Sequence, residues 1–271
     1  MKRTRVSLLA GALIFVACTH AAGVTLRYRF KPGQVLKYKQ MVTGAGMMTA
    51  SGESETPRST YQGEVTVKSV VLSVAAGGTA RIREELVGGQ WKETENGDEH
   101  TGRIPPEKSL VTMTPTGRVT REKKAGAASP QQGDDLVGDI LRGLEFTKKD
   151  VKVGETWSAQ LRIRLEDVGD VPVSVTQKLS AIRKFKGRDC AVVDVTFEAP
   201  FSHEKHEAGA SGEIAGKLAG SGTIFFDFKQ GVELQSTLSL AQQVRVTVQV
   251  GSEAHEVKQT MKMNLKQYLL Q

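Results

Sequence analysis

The stretch Ile214–Phe228 reads IAGKLAGSGTIFFDF, and apolar or small residues occupy its even positions. Polar or small residues, among them Lys217 and Thr223, occupy most of the odd positions. After a turn at residues 229–231, two further runs alternate in the same way as far as Leu269. A period of two puts successive side chains on opposite faces of a β-strand. The last sixty or so residues therefore predict three long antiparallel strands with one dry face and one wet face.

Strands of this length exceed the usual globular strand of roughly 3–10 residues. Long strands twist and coil, so they favour a curved surface over a flat one. Earlier segments of the chain, near residues 26–42, 65–86 and 157–197, also alternate. A slip in phase at residues 70–72 suggests a β-bulge, and the polar residues 93–107 are expected to form an exposed loop. We therefore expect a mainly β protein, built on a long, strongly curved antiparallel sheet or an incomplete barrel.

One amphipathic helix is predicted, over about residues 134–146. Asp134 or Asp135 is a suitable N-cap for it. Apolar residues then recur at helical spacing, namely Leu136, Val137, Ile140, Leu141 and Leu144. Such a stripe normally packs into the open mouth or the concave face of a sheet. We therefore expect the helix to cover the inner side of the sheet.

The predicted domain organisation is a single β-rich domain over residues 22–271. The turn phrase at residues 31–36 parallels the phrase at residues 152–157, and each precedes an alternating strand. This indicates two pseudo-repeated halves, 24–124 and 147–271, joined by a linker and helix at 125–146. Convergent hairpin chemistry would produce the same parallel.

The N-terminus has the features of an export signal. Basic Lys2, Arg3 and Arg5 precede an apolar stretch at residues 6–17, which is too short to span a bilayer as a helix. Cleavage after a signal peptide of residues 1–21 is one route. The other is lipidation, because residues 15–18 (FVAC) resemble a bacterial lipobox; the signal would then be residues 1–17, and Cys18 would anchor the chain to a membrane. The expected location is the periplasm or a membrane reached by this N-terminal lipid, with secretion as the alternative.

Charge and cysteine content narrow the function classes. The net charge of +7 falls to about +4 once Lys2, Arg3 and Arg5 are removed, and the excess is spread along the sequence. Nucleic-acid binding would need clustered basic and aromatic residues, so it is not expected. Only Cys18 and Cys190 exist, so no internal disulfide is expected in the exported chain, and Cys190 suits a small buried position.

The sequence contains no arrangement typical of a catalytic site, and no cofactor is expected. His203 and His206 are the best metal candidates, although they lie three residues apart in a predicted strand. Residues at that spacing point to opposite faces of a strand, and zinc needs three or four converging ligands. A solvated polar stretch is the favoured interpretation of both histidines.

Small residues on the dry face of the strand at 214–228 suggest a binding surface. Glycine there either leaves room for an apolar ligand or permits a tight bend beneath the helix, and the second interpretation is favoured. If the first holds, the ligand-facing candidates are Gly216, Leu218, Gly220, Gly222 and Ile224 on the strand, with Leu136, Ile140 and Leu144 on the helix.

Three phrases resemble those of a family of exported β-rich bacterial envelope proteins: LxYxFxPG at residues 26–33, VKVGETW at 151–157 and GxxCxVV at 187–193. That resemblance implies no activity. In architecture the chain resembles the lipoprotein carriers of bacterial envelopes, which are incomplete barrels lidded by helix. The carrier resemblance implies a non-enzymatic protein that binds a lipid, an acyl chain or a lipoprotein. A structural envelope protein with a core filled by its own side chains is the alternative, and an enzyme ranks last.

Overall fold

The protein is described here by a computed structural model covering residues 23–51, 58–122, 144–165, 168–207, 210–250 and 253–270. These residues form twelve β-strands: β1 (Val35–Ala50), β2 (Arg58–Val74), β3 (Ala80–Glu95), β4 (Asp98–Ile104), β5 (Glu107–Met113), β6 (Val119–Arg121), β7 (Thr156–Leu165), β8 (Gly169–Phe185), β9 (Arg188–Glu207), β10 (Ala210–Asp227), β11 (Val232–Val250) and β12 (Glu253–Leu269). No helix occurs in the described ranges, so none there has the length and apolar character needed to cross a membrane.

All twelve strands belong to one antiparallel sheet. Its order is β6-β5-β3-β2-β1-β12-β11-β10-β9-β8-β7, and β4 pairs with β3 outside this path. The first and last strands of the chain, β1 and β12, pair in the middle, from Tyr38↔Leu269 to Ala50↔Val257. The sheet does not close into a barrel, because its end strands β6 and β7 do not pair with each other. The mainly β, antiparallel prediction is confirmed.

The three strands predicted at the C-terminus are present as β10, β11 and β12. They contain 18, 19 and 17 residues, and β9 is longer still at 20. The alternation of apolar and polar residues sets their register over almost the whole length. One register shift, between Phe225 and Phe226, makes Leu234 an extra residue in β11. Leu234 therefore packs with Cys190 and Val232 in a separate cluster, although the alternation alone places it beside Leu238.

The predicted helix is wrong at its C-terminal end. Residues 134–143, including Leu136 and Ile140, lie outside the described ranges, but residues 144–146 are described and are not helical. The amide of Phe146 donates to the carbonyl of Thr116 at 2.7 Å, and Gln177 Nε2 donates to the carbonyl of Glu145 at 2.9 Å. These backbone groups are therefore bonded to neighbouring strands and loops, and not to a preceding helical turn.

The sheet has a base, where the turns at residues 31–34, 75–79, 114–118 and 228–231 lie, and an opposite, distal end. Two segments, residues 23–30 and 144–151, cross one face of the sheet near the base. They pair with each other at Val24 and Val151. The amide of Tyr28 donates to the carbonyl of Pro115 near one edge of the sheet, and the amide of Arg29 donates to the carbonyl of Gly231 beyond its middle. The face that these segments cover is called the inner face.

The inner face carries the main hydrophobic core. Leu26 and Phe146 of the crossing segments are buried in it, together with Val173, Val193 and Phe226 of the sheet. Cys190 is also buried and forms no disulfide, which confirms its expected place in the interior. The predicted signal segment, with Cys18, lies outside the described ranges. The proposed halves 24–124 and 147–271 contribute neighbouring strands to one sheet, and their duplication stays a prediction.

Candidate ligand-binding face

The inner face divides into two zones, and the first is filled by the protein itself. This filled zone consists of the inner side chains of β7–β10 with the crossing segments. Its side chains are less than 10% exposed at Ile163, Val173, Leu218 and Ile224, and Phe226 is fully buried. Phe226 makes edge-to-face contacts with Tyr28 and Phe146, with ring centroids 5.1 and 4.8 Å apart. Close packing of this kind leaves little room for a second molecule.

The glycines of β10 lie beneath phenylalanine rings of β9. Gly216 pairs with Phe201 and Gly220 pairs with Phe197 in the register of the two strands. A Cβ atom on Gly220 would lie 2.4 Å from Cζ of Phe197, and one on Gly216 would lie 2.6 Å from Cζ of Phe201. An aromatic side chain laid across a cross-strand glycine is a known way of stabilising a sheet. The space above these two glycines is therefore occupied by the protein's own rings.

Gly222 is enclosed mainly by backbone atoms of β11. A Cβ atom there would lie 2.2 Å from the carbonyl oxygen of Thr237 and 3.2 Å from Cα of Leu238. Its neighbours Leu218 and Ile224 are buried in the main core, and so is Leu144. The described candidates from the sequence thus lie together on the inner face, in its filled zone.

The second zone lies on the distal parts of β1, β2, β11 and β12, and it is open. Met48, Tyr61 and Val248 point to the inner face there and are 45%, 38% and 38% exposed. Half-buried apolar side chains on the same strands extend the surface, namely Val244, Val246, Val257 and Met261. The polar Gln242, Gln259 and His255 lie on the same face among them. These residues define the open zone. Its strands are hydrogen-bonded on both sides, and no crossing segment among the described residues covers it.

A polar cluster lies on the inner face at the base ends of β1, β11 and β12, separated from the open zone by the buried Leu238, Leu240 and Leu265. Gln40 Nε2 donates to Gln267 Oε1 at 2.7 Å, and Gln267 Nε2 donates to Glu233 Oε1 at 2.9 Å. The Tyr38 hydroxyl donates to the carbonyl of Glu233 at 3.2 Å, and Ser236 is the inner-face neighbour of Gln267. The cluster therefore links the three central strands of the sheet by side chains as well as by backbone.

Burial perturbs the acid in this cluster. Desolvation raises the pKa of the Glu233 carboxyl, and the neighbouring side chains of Ser236 and Gln267 oppose that rise. Desolvation also raises the pKa values of Tyr28 and Tyr38 far above their ordinary range, and the Glu233 charge adds to both shifts. The polar groups of this cluster are half-buried, apart from the buried Ser236, so they hold the base ends of the three strands together and do not border the open zone.

The remaining candidates are less informative. His203 and His206 both lie in β9, paired with Ile214 and Ser211 of β10. Among the described residues, no group of three or more His, Cys, Asp or Glu side chains could hold a metal ion. Cys18, Leu136 and Ile140 lie outside the described ranges, so the structure gives them no place relative to the face.

Sequence reasoning missed the open zone and the polar cluster. The alternation identified the dry face of β11 and β12, but it gave no sign that β1 and β2 would continue it. The isolated Gln40, Gln267 and Glu233 looked like ordinary surface residues. The available signal was the interruption of an apolar face by Gln267, two residues after Leu265, at a predicted strand end.

Comparisons with known proteins support the architecture. No family model matches the chain, and no curated protein matches it. A solved structure described as showing lipid–protein interactions in lipovitellin is similar in fold, with a TM-score of 0.51 at 12% sequence identity. The match covers 90% of this chain and 26% of that chain, so the chain spans about a quarter of its length. The crystal structure of Pseudomonas aeruginosa OccK7 (OpdD) also aligns over 88% of this chain and 100% of its own, but at 5% identity and a TM-score of 0.27 it does not define a shared fold.

Proposed function

We propose that this chain is a non-enzymatic cell-envelope protein that binds a lipid or another acyl-chain ligand on the open zone of its inner face. In this proposal the sheet is a strongly curved, incomplete barrel. The chain is exported to the periplasm, or is held at a membrane through Cys18. The observation that carries the proposal is the set of solvent-exposed apolar side chains on the inner face, Met48, Tyr61 and Val248.

The physical argument rests on the amount of apolar surface in contact with water. Each Å² of such surface that a ligand covers contributes roughly 25 cal/mol, and an acyl chain offers a long, narrow shape to match a row of strand side chains. The similarity to a lipovitellin structure agrees with a lipid ligand, although that likeness itself shows the fold alone.

A pair of adjacent methionines gives a matched test. Met47 and Met48 are both 45% exposed, but Met48 points to the inner face and Met47 to the outer face of β1. A fluorescent polyene fatty acid, kept below its micelle concentration, is titrated into the full chain and its variants. We expect saturable binding that Met48→Glu weakens about tenfold, because the new carboxylate would have to be desolvated against the acyl chain.

The Met47→Glu variant is the control, since it adds the same charge one residue away on the other face. It should bind the fatty acid as the wild type does. Equal loss in both variants would show that binding does not use the inner face. An absence of saturable binding by the wild type would overturn the proposal.

A second experiment looks for the natural ligand. The protein is purified from its own envelope and examined by native mass spectrometry, followed by lipid extraction. An adduct with the mass of an acyl lipid, which is lost in Met48→Glu, is the expected result. An adduct-free mass together with no uptake of added lipid would contradict it.

A structural protein with a self-filled core is the second candidate, and one observation favours it. Phe197 and Phe201 cover Gly220 and Gly216, so the protein fills one zone of the inner face with its own side chains. Under this alternative the open zone is a surface for assembly and takes no lipid. The fatty-acid titration separates the two candidates.

A further inference from the structure

The outer face of β11, β12 and β1 carries an unusual concentration of positive charge. Outer-face positions on these three central strands hold six basic residues and one acidic residue, Glu256. The basic residues, which together are called the basic stripe, are Lys37, Lys39, Arg245, Lys258, Lys262 and Lys266. By contrast, the outer face of β9 carries Asp194, Glu198 and Glu204. The excess of positive charge is therefore local, even though the whole sequence is only mildly basic.

Part of this charge is already neutralised. Glu256 accepts from Lys258 at 2.7 Å and lies 3.5 Å from Arg245, and Lys39 lies 2.6 Å from Glu64 of β2. Lys262 and Lys266 are exposed and form no salt bridge with any residue that the structure describes. The cross-strand neighbours of Lys262 are Ala45 and Ala241, which are too short to shield its ammonium group. Lys37 is likewise exposed and without a salt bridge among the described residues, and the Lys266 ammonium lies 6.0 Å from the centroid of the Tyr268 ring.

The stripe also contains exposed apolar surface at its distal end. Met47 lies on the same outer face, next to Thr260 in the register and 45% exposed. From Lys258 to Lys266 the stripe follows β12 for about 27 Å, at roughly 3.4 Å per residue. Its distal end coincides with the end of the sheet at which the open zone lies. On the outer face of β12 the lysines alternate with the polar Thr260 and Asn264, and Met47 adds an exposed apolar side chain beside Thr260. Clustered lysines next to exposed apolar atoms are typical of surfaces that bind anionic lipid head groups.

We propose that this basic stripe, together with the exposed Met47, docks the protein onto an anionic lipid bilayer. The stripe extends along the strands, so a curved sheet can meet a bilayer along it. Docking there brings the distal end of the sheet, with the open zone on its other face, next to the lipid surface. The charge pattern carries this inference independently of whether the open zone binds a ligand.

The test is partition of the full chain onto vesicles, measured by co-sedimentation. Phosphatidylcholine vesicles are compared with vesicles that also contain phosphatidylglycerol, in the absence of free fatty acid. We expect binding only to the anionic vesicles, weakening as the salt concentration rises, because the charges are exposed and screened. Lys262→Glu with Lys266→Glu should lower the partition coefficient by about tenfold or more, since two attractions become repulsions.

A matched control uses Lys31→Glu with Arg162→Glu. Both residues are exposed, and the double variant changes the net charge by the same amount outside the stripe. It should retain most of the binding. Any contribution of the N-terminal residues to membrane binding is the same in all variants, so it does not affect this comparison. Equal loss in the two double variants would overturn the proposal in favour of attraction by net charge. No partition onto anionic vesicles would also overturn it and leave an acidic protein as the class of partner. Fatty-acid binding in free solution is measured separately, so either proposal can fail alone.

Discussion

The filled and open zones of the inner face have the same alternating sequence pattern, but only the filled zone is covered by the protein's own side chains. In the filled zone, the small residues of β10 lie beside large ones of β9, as Gly220 lies beneath Phe197. In the open zone, Gly46 of β1 lies between Met261 and Ser59, and no aromatic ring covers it. The complementarity of sizes across strands, and not the hydrophobicity of a face, decides whether a sheet fills its own surface.

The crossing segments reinforce this difference. Glu145 accepts hydrogen bonds from three residues: its carboxylate accepts from Arg118 Nη2 at 2.9 Å and from the Thr116 hydroxyl at 2.8 Å. Its backbone carbonyl accepts from Gln177 Nε2 at 2.9 Å. The segment at 144–151 is thereby fixed between the β5–β6 hairpin and β8, over the base. Because both described crossing segments lie near the base, the distal part of the inner face receives no cover from them. Among the described residues, the crossing segments therefore add cover to the base part of the inner face, beside the side chains that fill it across strands.

The largest expected effect is on the free energy of unfolding, and it should differ between a substitution in the filled zone and one in the open zone. Phe226→Ala removes a fully buried ring that packs on Tyr28 and Phe146, and we expect a loss of about 3–5 kcal/mol in the free energy of unfolding. Met48→Ala, in the open zone, should change it by no more than about 0.5 kcal/mol, because the side chain is already 45% exposed. Urea denaturation measures both.

If Phe226→Ala does not fold, Phe226→Leu gives a graded version of the same test, with an expected loss of roughly 1–2 kcal/mol. A loss in Met48→Ala as large as in Phe226→Leu would mean that the open zone is packed as tightly as the filled zone. The division of the inner face would then have no energetic basis.

A smaller effect should come from the glycines. Gly220→Ala places a methyl group against the Phe197 ring and 2.8 Å from the carbonyl oxygen of Ser239, so side chain and backbone must both move. We expect a destabilisation of about 1–3 kcal/mol. Gly77→Ala, in the β2–β3 turn with no atom within 4 Å, should be close to neutral or slightly stabilising. A neutral Gly220→Ala in the same denaturation assay would show that the ring does not need the glycine.

Alternation predicted the C-terminal strands well because their two faces differ in polarity from end to end. It also located the bulge near Val71, where the register between β2 and β3 shifts. It failed for residues 93–107, which read as an exposed loop but contain the end of β3 and all of β4. Most side chains of β4 are exposed on both faces, so backbone pairing with β3 holds it in place without an apolar pattern.

The candidate site was predictable only in part, for a related reason. The sequence identified Gly216 and Gly220 as small residues on a dry face, but not what lies above them. That depends on the register between β9 and β10, which pairs each glycine with a phenylalanine. The open zone depends on β1 pairing with β12, a contact between residues more than two hundred positions apart. Local periodicity carries no information about such a contact.

The smallest effect concerns Glu233, in the polar cluster at the base end of the inner face. Burial raises the pKa of its carboxyl above the usual value of 4.5, so in the pH range just above that value the folded state holds a proton that the unfolded state has released. Glu233 therefore does not destabilise the fold through its charge at lower pH. The destabilisation grows as the pH rises from about 4.5 to the folded-state pKa and stays constant at higher pH. Glu233→Gln retains an acceptor for Gln267 and removes the ionisation. Its stability relative to the wild type should rise between pH 4 and pH 8 in urea titrations, whereas a constant difference would show that Glu233 lies in a solvated part of the face.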